Sequence, residues 1–426
     1  MTQPLNQELL KRFNPLTHRE LKDKILSKVG IDLANIERAL HDNLTPHLDL
    51  VSEIAGHLLF SGGKRLRPLL MLLSARLCNY QIEHHNSNLK DNNLNDSLTD
   101  SNSWSEDKSA NESLLNGDLT VKFSTIFEYL HAATLLHDDV VDEAQMRRGK
   151  PAAHSRWSVP KVVLTGDFLL ARSLSLAAKT EIPEIISIMA GITEDMSQGE
   201  IDQMEQKGKL DLTESQYLKI IKRKTAVLIQ GACRSGAIIA HADRINHNAM
   251  HKNSDDRNKN GYNGKQKLLG ITRDKALERE EALDQYGYYL GIAFQMADDL
   301  LDYTGDAASL GKNPGADIRE EKLTLPLIHA LAKANSEDRA AMENIIKKYS
   351  KGSDNLSSCD INDDLVNAQL FNLMLEKINK YQGIEYTELR AKNHVEQAKR
   401  CLDQFQACEA KEILLMLADY SISRRI

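Results

Sequence analysis

Apolar residues three and four positions apart run through most of this chain, and that period constrains its fold more than any other feature. From Leu21 to Leu77 they keep helical spacing on both sides of the loop SGGKRLRP, where paired glycines break one helix and Pro68 suits the first turn of the next. The period returns in Val121 to Gln145, Lys161 to Lys179, Ile185 to Gln206, Glu214 to Ala242, Leu277 to Tyr303, Leu325 to Lys348, and Leu365 to the end. Hydrophobic residues make up 41% of the 426 positions, enough for a sizeable core, and Leu, Ile and Ala far outnumber Trp and Tyr. An all-α helical bundle is expected.

Three stretches break the pattern. Residues 81–118, 246–267 and 350–363 are rich in Asn, Asp and Ser and have no apolar period, so they lack the surface that ordering would need to bury. A single helical domain over residues 1–426, carrying three flexible insertions, accounts for the length. The formal charge of -7 is spread along both halves, without the clustered Lys and Arg of a nucleic-acid surface. Cys78, Cys233, Cys359, Cys401 and Cys408 are odd in number and lack CxxC spacing, which argues against a disulfide framework or a zinc knuckle. The opening MTQPLNQELLKRF lacks the apolar core of a secretory signal, and no apolar run approaches the ~20 residues of a membrane span. A soluble, cytoplasmic protein is expected.

The chemistry concentrates in HAATLLHDDVVDEAQMRRGK. Asp138 and Asp142 lie one helical turn apart and project from one face, with Thr134 and His131 on the same stripe. Two carboxylates so placed can hold Mg²⁺. An acidic helix end in water would explain one such motif by itself. A second, GIAFQMADDLLD, sets Asp298 and Asp302 at the same spacing at the end of another apolar helix, one turn beyond Gln295. Magnesium is held by one or two carboxylates plus substrate phosphates, so two such clusters suit a diphosphate. Candidate cations for its charge are Lys64 and Arg67 in GGKRLRP, Arg147 and Arg148 after the first motif, and Lys312 after the second.

GGKRLRP, LLHDDVVDEAQMRRGKP, the KT pair of IKRKTAVL, and FQMADDLLDYTGD followed by LGKNPGADIREEKLTLPLI resemble, in order and spacing, the trans-isoprenyl diphosphate synthases. The resemblance spans nearly all of the chain outside the insertions. It implies the isoprenoid synthase fold, a helical bundle around a deep central cavity, in a homodimer, with Mg²⁺ as cofactor, three ions bound with the diphosphates. It implies that Lys64, Arg67, His131 and Arg148 bind isopentenyl diphosphate, and that Arg147, Lys224, Thr225, Gln295 and Lys312 hold the allylic diphosphate. Asp138, Asp142 and Asp298 would ligate metal directly, Asp302 through water, with Asp139 and Asp299 in support. Taken alone, His131 would pass for a buried structural histidine, and Lys224 with Thr225 for an ordinary helix turn.

The reaction so implied is repeated condensation of isopentenyl diphosphate onto an allylic diphosphate. In the family, bulky aromatic residues four and five positions before the first acidic motif stop growth early. Here Thr134 and Ala133 leave room for a long all-trans chain of the kind that becomes a quinone side chain. Leu130 and Phe127 lie about 12 and 16 Å below Asp138 along the helix, and Phe127 is a candidate floor. A short-chain (farnesyl or geranylgeranyl) synthase is the alternative within the family, and three other classes compete. The dipeptide His137-Asp138 also occurs in HD-type phosphohydrolases, a non-catalytic partner subunit could share the fold, and a class I terpene cyclase would lack the Lys64, Arg67 and Arg148 set. The closing ILLMLADYSISRR matches the family ending, where Arg424 and Arg425 either reach the active-site mouth or complement a helix dipole. If small residues above the floor set product length, Ala133→Phe shortens the product. Chromatography of the products checks this, and an unchanged chain length would refute it.

Overall fold

The structure is a computed structural model that describes residues 17–91, 118–252, 272–305, 315–351 and 361–423. Thr17 starts α1 (His18–Leu44) through a capping box: its hydroxyl accepts from the Glu20 amide, and its own amide donates to the Glu20 carboxylate at 2.9 Å. Next come α2 (Asp49–Leu59), the GGKRLRP loop, and α3 (Leu66–Asp91), with Pro68 in its first turn. The first acidic motif ends α4 (Asp118–Val141). A two-residue hairpin follows, β1 (Met146–Arg147) paired antiparallel with β2 (Lys150–Pro151). Its turn holds Arg148 and Gly149 at φ of 53° and 73°, the left-handed pair that matches strand twist in a tight hairpin.

The short α5 (Ala153–Arg156) leads to α6 (Val159–Ala178) and α7 (Pro183–Gln206), both with proline in the first turn. Helix α8 (Glu214–Ile221) passes through a π-helical turn, Lys222–Ala226, into α9 (Val227–Lys252). The second acidic motif ends α10 (Arg273–Thr304). The remainder is α11 (Ala316–Arg319), α12 (Leu325–Lys333), α13 (Ser336–Lys351), α14 (Ile361–Lys380), α15 (Gly383–Cys401) and α16 (Glu409–Ile422).

The all-α expectation holds, and the hairpin is the only strand pair among the described residues. Boundaries differ from those the period implies, first at residues 45–48, where the span before SGGKRLRP divides into α1 and α2. The span Leu325 to Lys348 is two helices, because the Asn335 side chain accepts from the Asp338 amide at 2.8 Å and starts a new helix there. The stretch from Leu365 onward is three helices, the first stopped where Gln382 turns left-handed at φ 56°. The segment to Gln145 is helical only to Val141. Helices also continue into the polar stretches, to Asp91, Lys252 and Lys351, while the middles of those stretches lie outside the described residues.

One core cluster packs α1, α3, α4, α9 and α10 around Leu70, Met71, Phe127, Tyr129 and Tyr286, all fully buried. A second joins α8, α10 and α12 to α15 around Tyr217, Met296, Tyr303 and Leu325. Buried Asp338 ties α13 to the end of α14 by accepting from Lys377, Lys380 and the Tyr381 hydroxyl. No helix among the described residues is long and apolar enough to cross a membrane.

Helix α10 lies against α9 and the π turn at glycine distance. A Cβ on Gly287 would sit 2.6 Å from the Gln230 Cα, and one on Gly291 would sit 2.5 Å from the Ala226 Cα. Neither neighbour can give way without moving backbone. Gly291→Ala therefore costs about 1–3 kcal/mol of stability by overpacking, and it lowers activity because the π turn must shift. A thermal melt and an initial rate check this, and parent-like values of both would contradict it.

Candidate active site

Asp138, Asp139 and Asp142 sit where α4 runs out, so their side chains leave the helix at different angles. Asp139 points inward, 1% exposed, and accepts from Arg147 Nε at 2.7 Å and from the same guanidinium's Nη2. The hairpin brings that arginine back to the helix end. Asp142 accepts from Lys207 Nζ at 3.4 Å and from Lys322 Nζ at 3.3 Å. Burial alone would raise the Asp142 pKa, but Lys322, Lys207 and Lys224 outweigh it and hold the group below its ordinary value. Among the described residues Asp138 has no such direct lysine partner. Burial pushes its pKa up to about 6, the Lys224 charge opposes the shift, and Glu200 and Asp142 add to it.

The π turn presents Lys224 and Thr225 to this end of the bundle, as π turns at functional sites often do. Lys224 Nζ lies 2.5 Å from Glu200 Oε2 and donates to Gln203 Oε1 at 2.8 Å, both from α7. Thr225 donates to Gln295 Oε1 at 2.7 Å, and Gln295 Nε2 donates to Asp299 Oδ1 at 2.7 Å. Tyr217 donates to the other Asp299 oxygen. Burial raises the Asp299 pKa, with the two hydrogen bonds opposing it. Hydrogen bonds thus run from the KT turn to the second acidic motif. A cavity of about 150 Å³ opens there, lined by Lys207, Lys224, Thr225, Gln295, Asp299 and Lys322 among others.

The second motif divides by exposure. Asp298 is exposed, whereas Asp302 is 2% exposed and accepts from the amides of Ala316 and Asp317 at 3.2 and 2.9 Å. Asp302 therefore anchors the N-terminus of α11, and α11 leads to Lys322, which reaches back to Asp142. Among the described residues no three acidic, histidine or cysteine side chains cluster closely enough to enclose an ion. Such open carboxylate pairs suit a hard ion that completes its shell with water and phosphate oxygens, and do not suit an all-protein tetrahedral cage.

A cationic pocket adjoins the first motif. Arg65 is 3% exposed and binds Glu37 at 2.6 and 3.1 Å, Glu128 at 3.3 Å and the Leu59 carbonyl at 2.6 Å, which pins the loop. Arg67 Nη1 lies 3.7 Å from Glu128 Oε2, and its Nε is buried without a hydrogen-bond partner. Arg148 donates to the carbonyls of Gly62 and Leu58. Burial drives the His131 pKa well below its usual range, and the charges of Arg67, Arg148, Arg147 and Arg65 push the same way, so the imidazole is neutral. Buried Glu128 faces three guanidiniums and half-buried Glu37 pairs with Arg65, which still leaves positive charge in excess for an anion. Lys64 extends from the same loop, its Nζ 5.4 Å from the Tyr420 ring centre.

The structure thus gathers Arg67, His131, Asp138, Asp142, Arg147, Arg148, Lys224, Thr225, Gln295 and the second motif at one end of the bundle, while Lys312, Arg424 and Arg425 lie outside the described residues. Below them Ala133, Leu130 and Phe127 are buried, Phe127 completely, and Thr134 donates to the His131 carbonyl. His137 is turned to α6, its Nε2 3.1 Å from the Val163 carbonyl and 3.4 Å from Asp167, so it is not paired with Asp138 as an HD ligand set needs. Sequence reasoning missed Glu128, Glu200, Gln203, Lys207, Tyr217 and Lys322. Their only trace is position: Glu200 and Gln203 share a helix face, and Lys322 hides in the charged run REEK.

A sequence profile of the family described as polyprenyl synthetase matches residues 48–255 and 265–360. The all-trans-nonaprenyl-diphosphate synthase (geranyl-diphosphate specific) of Rhodobacter capsulatus is 32% identical over 320 residues, 75% of this chain and 78% of that protein. The octaprenyl diphosphate synthase of Haemophilus influenzae is 27% identical over 402 residues, 94% of this chain and 97% of that protein. Among solved structures, the polyprenyl synthase from Caulobacter crescentus CB15, complexed with calcium and isoprenyl diphosphate, has a TM-score of 0.69 at 31% identity, covering 95% of this chain and 98% of that one. This chain belongs to the polyprenyl synthetase family and is a prenyltransferase with the isoprenoid synthase fold.

The Asp138 environment carries a testable cost. Its folded pKa of about 6 stands above the ordinary 3.8, so the ionised form opposes folding fully above pH ~6, and the penalty fades as pH falls toward 4. In metal-free protein, Asp138→Asn melts higher than the parent at pH 7.5, by a few °C per kcal/mol relieved, and the advantage disappears near pH 4. A variant that melts lower at pH 7.5 would contradict this assignment.

Proposed function

We propose that this prenyltransferase adds isopentenyl diphosphate units repeatedly to an allylic diphosphate and releases a long-chain all-trans-polyprenyl diphosphate that serves as a quinone side-chain precursor. The observation that carries this is the meeting of an anion pocket (Arg67, His131, Arg148) with two acidic motifs joined through Lys224, Thr225 and Gln295. Two diphosphates need two such sites side by side, and the long-chain names of the Rhodobacter capsulatus and Haemophilus influenzae relatives support the product class.

Asp138, Asp142 and Asp298 offer carboxylate oxygens of the kind Mg²⁺ takes, with Asp302 and Asp299 fixing the second motif from behind. Magnesium, in three ions, would supply Lewis-acid charge against the departing diphosphate. Lys224, Lys207, Lys322 and Arg147 add fixed positive charge on the same side. Heterolysis of the allylic C–O bond sends the electron pair to the diphosphate, and the double bond of isopentenyl diphosphate attacks the carbon cation. A proton then leaves the new chain for the released diphosphate. The oxygens of Thr225 and Gln295 line the cavity and favour the transient cation, since preformed dipoles there need no reorganisation.

In this reading the small side chains of Ala133 and Thr134, above buried Leu130 and Phe127 on α4, set product length. A homodimer is supported by apolar exposure on two neighbouring helices, Leu164 on α6 at 66% and Ile201 on α7 at 61%. Free thiols at Cys78, Cys233, Cys401 and Cys408 support a reducing cytoplasmic setting, and one domain with surface insertions suits the family match. Incubated with farnesyl and isopentenyl diphosphates and Mg²⁺, the purified chain yields products well beyond four isoprene units by chromatography. Asp138→Ala and Asp298→Ala each lose at least about 10²-fold in kcat. Products that stop at three or four units would overturn the long-chain assignment, and variants as fast as the parent would overturn the mechanism.

A further inference from the structure

Three segments distant in sequence meet at the edge of the cationic pocket: the start of α1, the glycine loop before α3, and the last turn of α16. The Tyr420 ring joins them. Lys64 Nζ stands 5.4 Å from its centroid, within cation–π range. The His18 imidazole stacks on the same ring at 4.7 Å and 15°, and His18 Nδ1 lies 2.9 Å from Ser423 Oγ. The ring is therefore held by the start of α1 and the glycine loop. Lys64 itself is exposed, on a loop whose Gly62 and Gly63 take φ of 93° and 159°.

We propose that Tyr420 is a positioning residue that holds Lys64 over the pocket so that it meets the diphosphate of the five-carbon donor without searching its rotamers. This rests on the assignment of Lys64 to isopentenyl diphosphate made above. A flexible lysine loses freedom when it binds a phosphate, and a ring that already restrains it removes part of that cost. The ring face does this, and the phenolic hydroxyl is dispensable. His18 acts one step further out, by fixing the ring.

The effect should fall on one substrate. Tyr420→Leu raises KM for isopentenyl diphosphate about two- to fivefold, the span of an exposed cation–π contact, while kcat and KM for farnesyl diphosphate stay within about twofold. Tyr420→Phe behaves like the parent. Lys64→Ala raises the same KM, and adding Tyr420→Leu to it changes nothing more. His18→Leu gives a smaller rise in that KM. If Lys64→Ala leaves the KM unmoved, the assignment of Lys64 fails. If Lys64→Ala raises it but Tyr420→Leu does not, if Leu and Phe act alike, or if the two effects add in full, the positioning role fails. Should Tyr420→Leu not fold, an unchanged KM in His18→Leu overturns the proposal.

Discussion

Carboxylates gathered at one end of a helical bundle repel one another, and the rest of this structure depends on how that repulsion is offset. Three devices do it. Asp139 and Asp302 are buried and satisfied, one by Arg147 and the other by the amides that open α11. Asp142 shares Lys207 and Lys322, brought together where the Gly208 amide donates to the Glu321 carbonyl at 3.2 Å. Burial raises the Asp138 pKa, which lets that carboxyl hold a proton more readily, and Asp298 stands exposed to solvent. The arginine pocket beside it has the opposite imbalance, with Glu128 and Glu37 set against three guanidiniums.

Both imbalances are maintained by backbone features with no chemistry of their own. Gly287 and Gly291 let α10 approach the π turn, and that turn aims Lys224 and Thr225 at the second motif. The tight turn at Arg148 and Gly149 returns Arg147 to Asp139. Local geometry of this kind converts a generic bundle into a charged site, and it places the cost in a few strained or crowded positions.

Helix periodicity made the all-α class and most helix positions legible, because burying one face of each helix leaves a 3.6-residue trace in the sequence. The acidic motifs, GGKRLRP, RRGK and the KT pair were legible because their chemistry sits in contiguous runs. Glu128, Glu200 and Lys322 were not, since each acts through a partner 20 to 180 positions away, and a lone charge on a helix usually faces water. The breaks at Asn335 and Gln382 were hidden for another reason: a cap or a left-handed residue interrupts the backbone while the apolar spacing carries on across it. Arg65 illustrates the converse, a cation inside a binding motif whose own bonds go to Glu37, Glu128 and Leu59.

In the proposed function the two acidic motifs bind one diphosphate jointly, and only with divalent metal. Calorimetric titration of the intact protein with an unreactive thio-analogue of farnesyl diphosphate measures that directly. Binding is predicted with Mg²⁺ present, lost in EDTA, and abolished by either Asp138→Ala or Asp298→Ala. Equal affinity with and without metal, or in either variant, would contradict the account.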